Sequence, residues 1–223
     1  MALVVEDDHD FAAELVGILA AEGWSAASTS EGAAAVDHVR ERSPDLVLLD
    51  LVLPDIDGVD VIRRIRTFSD AYVLVVSRRD GEQSKIDALR AGADDYLTKP
   101  ISPGELVARV EAVMRRPRSN GGADGALVFG DLAVSTRARR VTLGGDEVDL
   151  TRIEFELLRR VALAGGDAVT RGDLFAGVWG ADVAHDDHLL DVHVSNLRRK
   201  IESDPRRPAH LRTIRGVGFR LDA

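Results

Sequence analysis

Five short apolar runs, each closed by polar residues and followed by helical spacing, fill the first half of this chain. The sharpest is Leu46-Val47-Leu48-Leu49, preceded by Pro44 and closed by Asp50. An unbroken run of this length reads as a strand buried on both faces, as in a parallel sheet. A carboxylate at its end falls at the sheet's carboxyl edge, where open α/β sheets place ligands. Taken alone, Asp50 would serve equally well as a turn cap.

The neighbouring segments repeat the pattern. Ala2–Val5 is a strand closed by Glu6-Asp7-Asp8. Phe11, Leu15, Ile18 and Leu19 then recur at helical spacing up to Gly23. Trp24–Ala27 is a weaker strand, and Glu31–Arg42 an alanine-rich helix stopped at Ser43-Pro44. Gly58–Thr67 is a helix with Val59, Ile62 and Ile65 on one face. Tyr72–Val76 is a strand ending at Ser77. Asp80–Ala91 is a helix with Gly92 as its C-cap. Asp95–Leu97 is a strand ending at Thr98-Lys99-Pro100, and Pro103–Arg116 the last helix, with Leu106, Val110 and Val113 apolar. Such alternation predicts a doubly wound parallel sheet with helices on both faces.

The strand ends then carry Glu6 and Asp7, Asp50, Ser77 and Lys99 on one edge. Clustered carboxylates repel and call for a cation, and hard oxygen ligands suit Mg²⁺. Asp50 is a plausible nucleophile forming an aspartyl phosphate. A hydroxyl from Ser77 and an ammonium from Lys99 would bind phosphoryl oxygens. Each residue has a plainer use by itself, as an N-cap cluster, a turn hydroxyl or a solvated lysine. Four strand-terminal groups of matching chemistry argue for a site.

Val4-Val5-Glu6-Asp7-Asp8, Leu49 to Gly58, Ser77 and Gly92 to Pro100 resemble the receiver domain of two-component response regulators. The resemblance covers residues 1–116 and implies a flavodoxin-like (βα)5 fold. It implies that Asp50 accepts a phosphoryl group from a cognate sensor histidine kinase. Glu6 and Asp7 would be the acidic pair, and Asp7, Asp50 and the Val52 backbone carbonyl the Mg²⁺ ligands. Ser77 and Tyr96 would be the switch pair, Lys99 a bridge to the phosphoryl oxygens, and Lys99–Pro100 a cis bond. One position departs from the family: Arg78, followed by Arg79, stands where a small residue is usual. Arg78 would shield the phosphoryl group, add an anion contact, or point to solvent. Lys85, Asp94, Asp95, Glu105, Arg109 and Arg116 match in sign the charges that pair across a two-fold receiver dimer in the OmpR/PhoB branch. Homodimerisation on phosphorylation is therefore expected, with Lys85–Glu105 and Asp95–Arg109 bridges. The bland alternative is a solvated charged face.

Charge separates the halves. Residues 1–116 carry 13 Lys and Arg against 22 Asp and Glu, a net charge of −9, while residues 117–223 carry 16 of each. Within Leu190–Arg220 the balance is eight to three in favour of cations. This asymmetry suggests two domains with different partners. There is no cysteine, no membrane-length apolar run and no signal-peptide pattern, which suits a cytoplasmic protein without membrane insertion. Residues 117–125, rich in Gly and polar groups, read as a tether.

From residue 126 onward the pattern changes. Short strands are expected at Leu127–Phe129, Leu132–Val134, Arg140–Leu143 and Glu147–Leu150, with a Gly144-Gly145 hairpin turn. Thr151 and Glu154 form a capping box for a helix with Ile153, Leu157, Leu158 and Val161 apolar. Thr170 caps Arg171–Trp179, and Asp187–Glu202 is a third helix with Leu190, Val194, Leu197 and Ile201 on one stripe. Arg212–Leu221 is a Gly-centred hairpin. Three helices and a basic hairpin make an α+β winged helix-turn-helix pattern, whose third helix enters the major groove.

Leu150 to Leu158, Val192 to Ile201 and Thr213 to Phe219 are similar to the effector domain of the OmpR/PhoB branch. The similarity implies double-stranded DNA as partner, in promoter repeats, with RNA polymerase downstream. Carried over, His188, Leu189, Val192 and Asn196 would face bases. Trp179, His193, Ser195, Arg198 and Thr213 would touch the DNA backbone, and Arg215 the minor groove. His188, Leu189, Ser195 and Asn196 depart from the commoner pattern, so a target sequence is not transferable.

The chain therefore reads as a phosphorylation-dependent transcriptional regulator rather than an enzyme, beyond its own phosphoryl transfer and dephosphorylation. An aspartyl-phosphate phosphatase would need an acid/base carboxylate two residues after Asp50, where Val52 stands. A phosphorylation-independent regulator would have no need of the complete set of Glu6, Asp7, Asp50, Ser77 and Lys99.

Overall fold

The computed structural model describes residues 1–114, 126–181 and 183–222. The chain divides into two compact units, Met1–Val107 and Ala108–Ala223. In the first, β1 (Ala2–Val5), β2 (Ala26–Thr29), β3 (Leu46–Leu49), β4 (Tyr72–Ser77) and β5 (Asp95–Thr98) form one parallel sheet of order β2-β1-β3-β4-β5. Every residue of the three central strands is buried, which is why they read as continuous apolar runs. Edge strand β2 is only partly covered and starts two residues later than its sequence suggests.

The intervening helices are α1 (His9–Ala21), α2 (Gly32–Arg42), α3 (Gly58–Arg66), α4 (Glu82–Ala91) and α5 (Pro103–Met114). Asp8 caps α1 by accepting from the N–H groups of Asp10 and Phe11 at 3.2 Å. Gly92 closes α4 with φ +113°, as expected of a C-cap glycine. On α3 the core positions are Val61, Ile62 and Ile65; Val59, expected on that face, is only half-buried. The helix starts at Gly58, as its sequence suggests, and the buried face falls on Val61, Ile62 and Ile65. On α5, Leu106 and Val110 are buried as expected. Residues 115–125, and so the expected end of this helix, the tether and Arg116, lie outside the described residues, as does the side chain of Val113.

The second unit begins within α5 and contains an antiparallel sheet of β6 (Leu127–Phe129), β7 (Leu132–Ser135), β8 (Arg140–Leu143) and β9 (Asp146–Glu147), in that order. Gly144 and Gly145, with φ of +60° and +96°, make the two-residue turn between β8 and β9. The last strand is shorter than the Glu147–Leu150 run suggests. Helices α6 (Arg152–Leu163), α7 (Arg171–Trp179) and α8 (Asp187–Ile201) follow. The Thr151–Glu154 capping box is formed in both directions.

The C-terminal hairpin of β11 (Leu211–Ile214) and β12 (Gly218–Leu221) gains a third strand from β10 (Val169–Thr170). This pairing fixes Gly218: a Cβ there would lie 1.9 Å from the Val169 carbonyl oxygen. Among the described residues, no helix is long and apolar enough to cross a membrane.

Candidate functional site

Four loops at the carboxyl edge of the parallel sheet bring the strand-terminal residues together. Asp50 is buried directly after β3. Its Oδ1 accepts the Ser77 hydroxyl at 2.7 Å and the Val52 N–H at 2.9 Å. Its Oδ2 accepts Lys99 Nζ at 2.6 Å, and the same ammonium donates to Glu6 Oε2 at 2.6 Å. Lys99, only 8% exposed, thus bridges two buried carboxylates and lies over the Phe11 ring. The Lys99–Pro100 bond is cis.

Asp7 completes an acidic trio. One oxygen each from Glu6, Asp7 and Asp50 lies within 4.8 Å of the others, and Asp7 is the exposed member. One ammonium against three carboxylates leaves the pocket short of positive charge. Burial raises the Glu6 carboxyl above its ordinary value, against the lowering influence of Lys99. The donor set is all oxygen and open to solvent at Asp7, which suits a hard divalent cation.

Two glycines and one aspartate hold this edge in place. A Cβ on Gly58 would meet Leu51 Cα at 2.5 Å and the Asp50 carbonyl oxygen at 2.7 Å. Only glycine lets α3 start against the strand that carries Asp50. A Cβ on Gly32 would meet side-chain carbons of Val61 and Ile56 at 2.6 and 2.7 Å. Asp55, from the β3–α3 loop, accepts the first two N–H groups of α2, those of Gly32 and Ala33, both at 2.8 Å. Those bonds hold its carboxyl below its ordinary value. The N-cap residue of α2, Glu31, makes no such bond.

Tyr96 is buried on β5, and its hydroxyl donates to the Arg79 carbonyl. Burial raises the phenol's pKa. Arg78 is 76% exposed, with its guanidinium 3.8 Å from Asp8. Of the three roles open to it, the solvent-facing one describes its position.

In the second unit α8 is laid down on the expected stripe, with Leu190, Val194, Leu197 and Ile201 buried. Asp186 caps it through the Leu189 N–H at 3.0 Å. Arg171, at the start of α7, donates to Asp187 at 2.5 Å and Asp191 at 2.7 Å on α8. Glu202 follows α8 and is buried; its carboxylate accepts from the N–H groups of Ala209, His210 and Leu211, the shortest at 2.7 Å. Arg198 donates to the Leu211 carbonyl at 2.7 Å and to Thr213 Oγ1 at 2.8 Å. These bonds orient the hairpin on the helix.

Residues 2–111 match the family model for the response regulator receiver domain, and residues 145–221 that for the C-terminal domain of transcriptional regulatory proteins. The chain is 42% identical to the sensory transduction protein RegX3 of Mycolicibacterium smegmatis, covering 99% of this chain and 98% of that one. It is 40% identical to the DNA-binding response regulator MtrA of the same organism, over 98% and 95%. The response regulator DrrB of Thermotoga maritima, an OmpR/PhoB homologue of known structure, is 30% identical and matches with a TM-score of 0.53 over 100% and 98%. The chain belongs to the OmpR/PhoB family of response regulators.

This response regulator corrects several expectations at residue level. Asp94 does not lie on a charged outer face. It is fully buried, accepting from Arg66 at 2.6 Å and from the Val73 N–H at 2.8 Å. Asp95 is buried as well, while Lys85 and Arg109 are half-buried and Glu105 is exposed. Trp179 and His193, expected at the DNA backbone, are buried among aromatic neighbours. Trp179 stacks on Phe175 with ring centroids 4.8 Å apart, and His193 lies 5.6 Å from Trp179. Leu189, Val192 and Asn196 are also buried, which leaves His188 as the half-exposed member of the base-facing set. Ser195, Thr213 and Arg215 are exposed, and Arg198 is half-buried on its hairpin partners.

Asp55, Asp57, Arg66, Arg79 and Glu202 were not singled out from the sequence. Asp57 had a signal, an aspartate immediately before Gly58 and an apolar helix, which is an N-cap pattern. Asp55 and Arg66 act on backbone groups distant in sequence, Arg79 on the Asp57 carboxylate, and Glu202 on the N–H groups of residues 209–211; local patterning carries no trace of these pairings.

Proposed function

We propose that this response regulator is switched by phosphorylation of Asp50, and that the switch governs promoter binding by its winged-helix domain. The observation carrying the reading is the Asp50 carboxylate, buried and held by Ser77 and Lys99 beside Glu6 and Asp7. A sensor histidine kinase is the phosphoryl source. An Asp50 oxygen bonds to phosphorus as the P–N bond of the kinase phosphohistidine breaks, and the departing imidazole takes a proton. Ser77 and Lys99 already reach the two Asp50 oxygens, so each can pass to an incoming phosphoryl oxygen with a small movement.

Glu6, Asp7, Asp50 and the Val52 carbonyl would hold Mg²⁺, and the acidic trio within 4.8 Å fits that ion. Bound there, Mg²⁺ supplies charge neutralisation for the transferring group. Glu6 also keeps Lys99 aimed across the pocket. Ser77 and Tyr96 report the modification to the α4–β5–α5 surface, shifting an existing equilibrium toward a homodimer. Lys85, Glu105, Asp95 and Arg109 form its bridges, with Arg116 contributing from outside the described residues.

The domains are 1–116 for the receiver, 117–125 for the tether and 126–223 for the DNA-binding effector. Ser195, His188, Thr213 and Arg215 supply the accessible polar surface for double-stranded DNA. Arg215 on the hairpin suits a minor groove. The bound dimer would engage promoter repeats and RNA polymerase in the cytoplasm. The protein is a substrate of its kinase, with no turnover beyond its own phosphoryl transfer and dephosphorylation.

The test is DNA binding across a random-sequence library, with and without a small-molecule phosphoryl donor plus Mg²⁺, beside Asp50→Ala. Phosphorylation should sharpen binding to a repeated motif, and Asp50→Ala should abolish that gain. Identical binding in all samples would leave Asp50 a structural residue.

A further inference from the structure

Arg79 touches both residues of the switch pair and an anchor next to Asp50. Its backbone N–H donates to Ser77 Oγ at 3.4 Å, and its carbonyl accepts the Tyr96 hydroxyl. Its side chain crosses to a different loop, where Nη1 meets Asp57 Oδ2 at 2.8 Å. We infer that Arg79, through its ion pair with Asp57, is a positioning residue that holds Ser77 and Tyr96 in their inward places. The inference rests on reading Ser77 and Tyr96 as the switch.

The anchor is stiff. Asp57 is the N-cap of α3, its other oxygen accepting the Val59 N–H at 2.9 Å. Gly58 follows immediately and donates its N–H to the Leu51 carbonyl at 3.1 Å. It is packed so closely that a Cβ would fall 2.5 Å from Leu51 Cα. Asp57 is therefore fixed relative to the strand end that carries Asp50.

The segment to be held is loose by comparison. Between the end of β4 and the start of α4, Arg78, Asp80 and Gly81 are exposed and Arg79 alone is half-buried. Gly81, the N-cap of α4, offers no side chain to tie the loop down. The Arg79 guanidinium ties this loop to the rigid side of the site at 2.8 Å, a closer pair than the exposed Arg78–Asp8 contact at 3.8 Å. If it lets go, the carbonyl under the Tyr96 hydroxyl and the N–H on Ser77 move with the backbone. Tyr96 loses its inward partner, and the ring is freer to turn out.

Both members of the pair are about two-fifths exposed, at 39% and 41%, so the bias is moderate. Ion pairs of this exposure correspond to about a 1.5- to 5-fold change in an equilibrium. That is enough to alter the population of a switch whose two states lie close in free energy.

The chain contains two tyrosines, and Tyr72 is fully buried in β4, so fluorotyrosine NMR of the full protein yields Tyr96 with an internal control. In unphosphorylated protein, Arg79→Ala should move the Tyr96 signal toward that of exposed tyrosine, with a 1.5- to 5-fold change in the inward-to-outward ratio, and leave Tyr72 in place. Asp57→Ser keeps an oxygen to cap α3 but cannot reach Arg79, and should give the same shift. Arg79→Lys, which retains the charge, should restore most of the parent signal. Superimposable Tyr96 signals in parent, Arg79→Ala and Asp57→Ser would overturn the inference. A parallel parent sample with phosphoryl donor and Mg²⁺ tests the underlying switch. If Tyr96 does not respond there, the switch reading fails, whereas the positioning claim is decided by the unphosphorylated spectra.

Discussion

At the carboxyl edge of the receiver sheet, Glu6, Asp50, Ser77 and Lys99 turn toward one another. Along α8 of the effector, side chains of equal polarity go separate ways: Arg198 to the hairpin backbone, Lys200 to Glu154, Arg199 to Asn196. The difference lies in what fixes direction. At the end of a parallel strand, topology alone brings each terminal residue to one edge, whatever surrounds it. On a helix, the apolar stripe sets the core face, but the remaining directions depend on which groups each long side chain can reach. Residue type at a strand end is therefore strong information, and residue type on a helix flank is weak.

The sharpest break of this contrast would come at Asp94, which the sequence placed among surface charges and the structure places inside. Removing one member of a buried ion pair strands the other. Asp94→Ala should cost the receiver about 3–5 kcal/mol by urea denaturation, because Arg66 is only 11% exposed and also donates to the Gly92 and Ala71 carbonyls. A variant of unchanged stability with weakened dimerisation would return Asp94 to the surface role.

Glu202 offers the effector counterpart. Glu202→Ala deprives three backbone N–H groups of their acceptor, the best at 2.7 Å. A loss of about 1–3 kcal/mol is expected, together with weaker DNA binding, since those groups lead into β11 and the hairpin. Calorimetry of the fragment-free full chain and binding to a selected DNA motif would check the two effects. Full affinity despite lost stability would show that the hairpin orients itself without this carboxylate.

These two residues mark where reading the sequence stopped. Alternation of strands and helices, the capping box at Thr151 and Glu154, the turn at Gly144-Gly145 and the four α8 core positions are local patterns, and all are present in the structure. So are the strand ends that assemble around Asp50. Strand β10 is two residues long and exists only through its pairing with β12, so no periodicity could reveal it. Arg66, Asp55 and Glu202 satisfy backbone groups from other segments, and such bonds follow from the finished fold. Trp179 and His193 are a further case: their residue types say nothing of the aromatic packing that buries both.

A third effect has the opposite sign. Burial raises Glu6 above its ordinary carboxyl value of 4.5, so the folded state binds a proton that the unfolded chain has already lost. Stability therefore falls as pH rises from about 4.5 through the folded value. Glu6→Gln should remove that fall and raise the melting temperature at neutral pH, while weakening the Mg²⁺-induced stabilisation expected of the parent. Sites that must hold charge commonly sacrifice stability in this way. A lower melting temperature in Glu6→Gln would mean that the bond to Lys99 outweighs the cost of burial.

Arg78 should give the smallest effect, and it sharpens the contrast from the receiver side. It stands at the end of β4, next to Ser77, yet topology does not aim it into the site. Its side chain is 76% exposed and reaches no nearer than 3.8 Å to Asp8. A pair so exposed contributes less than about 1 kcal/mol. Arg78→Ala should therefore change the autodephosphorylation half-life by less than about fivefold, in contrast to Lys99, whose ammonium is enclosed by Glu6 and Asp50. A larger change would show that Arg78 swings over the aspartyl phosphate once it forms. An identical half-life would show that its position beside the switch hydroxyl is incidental. In either case the strand end fixes a residue only as far as its Cβ, and a long side chain is placed by what it can bind.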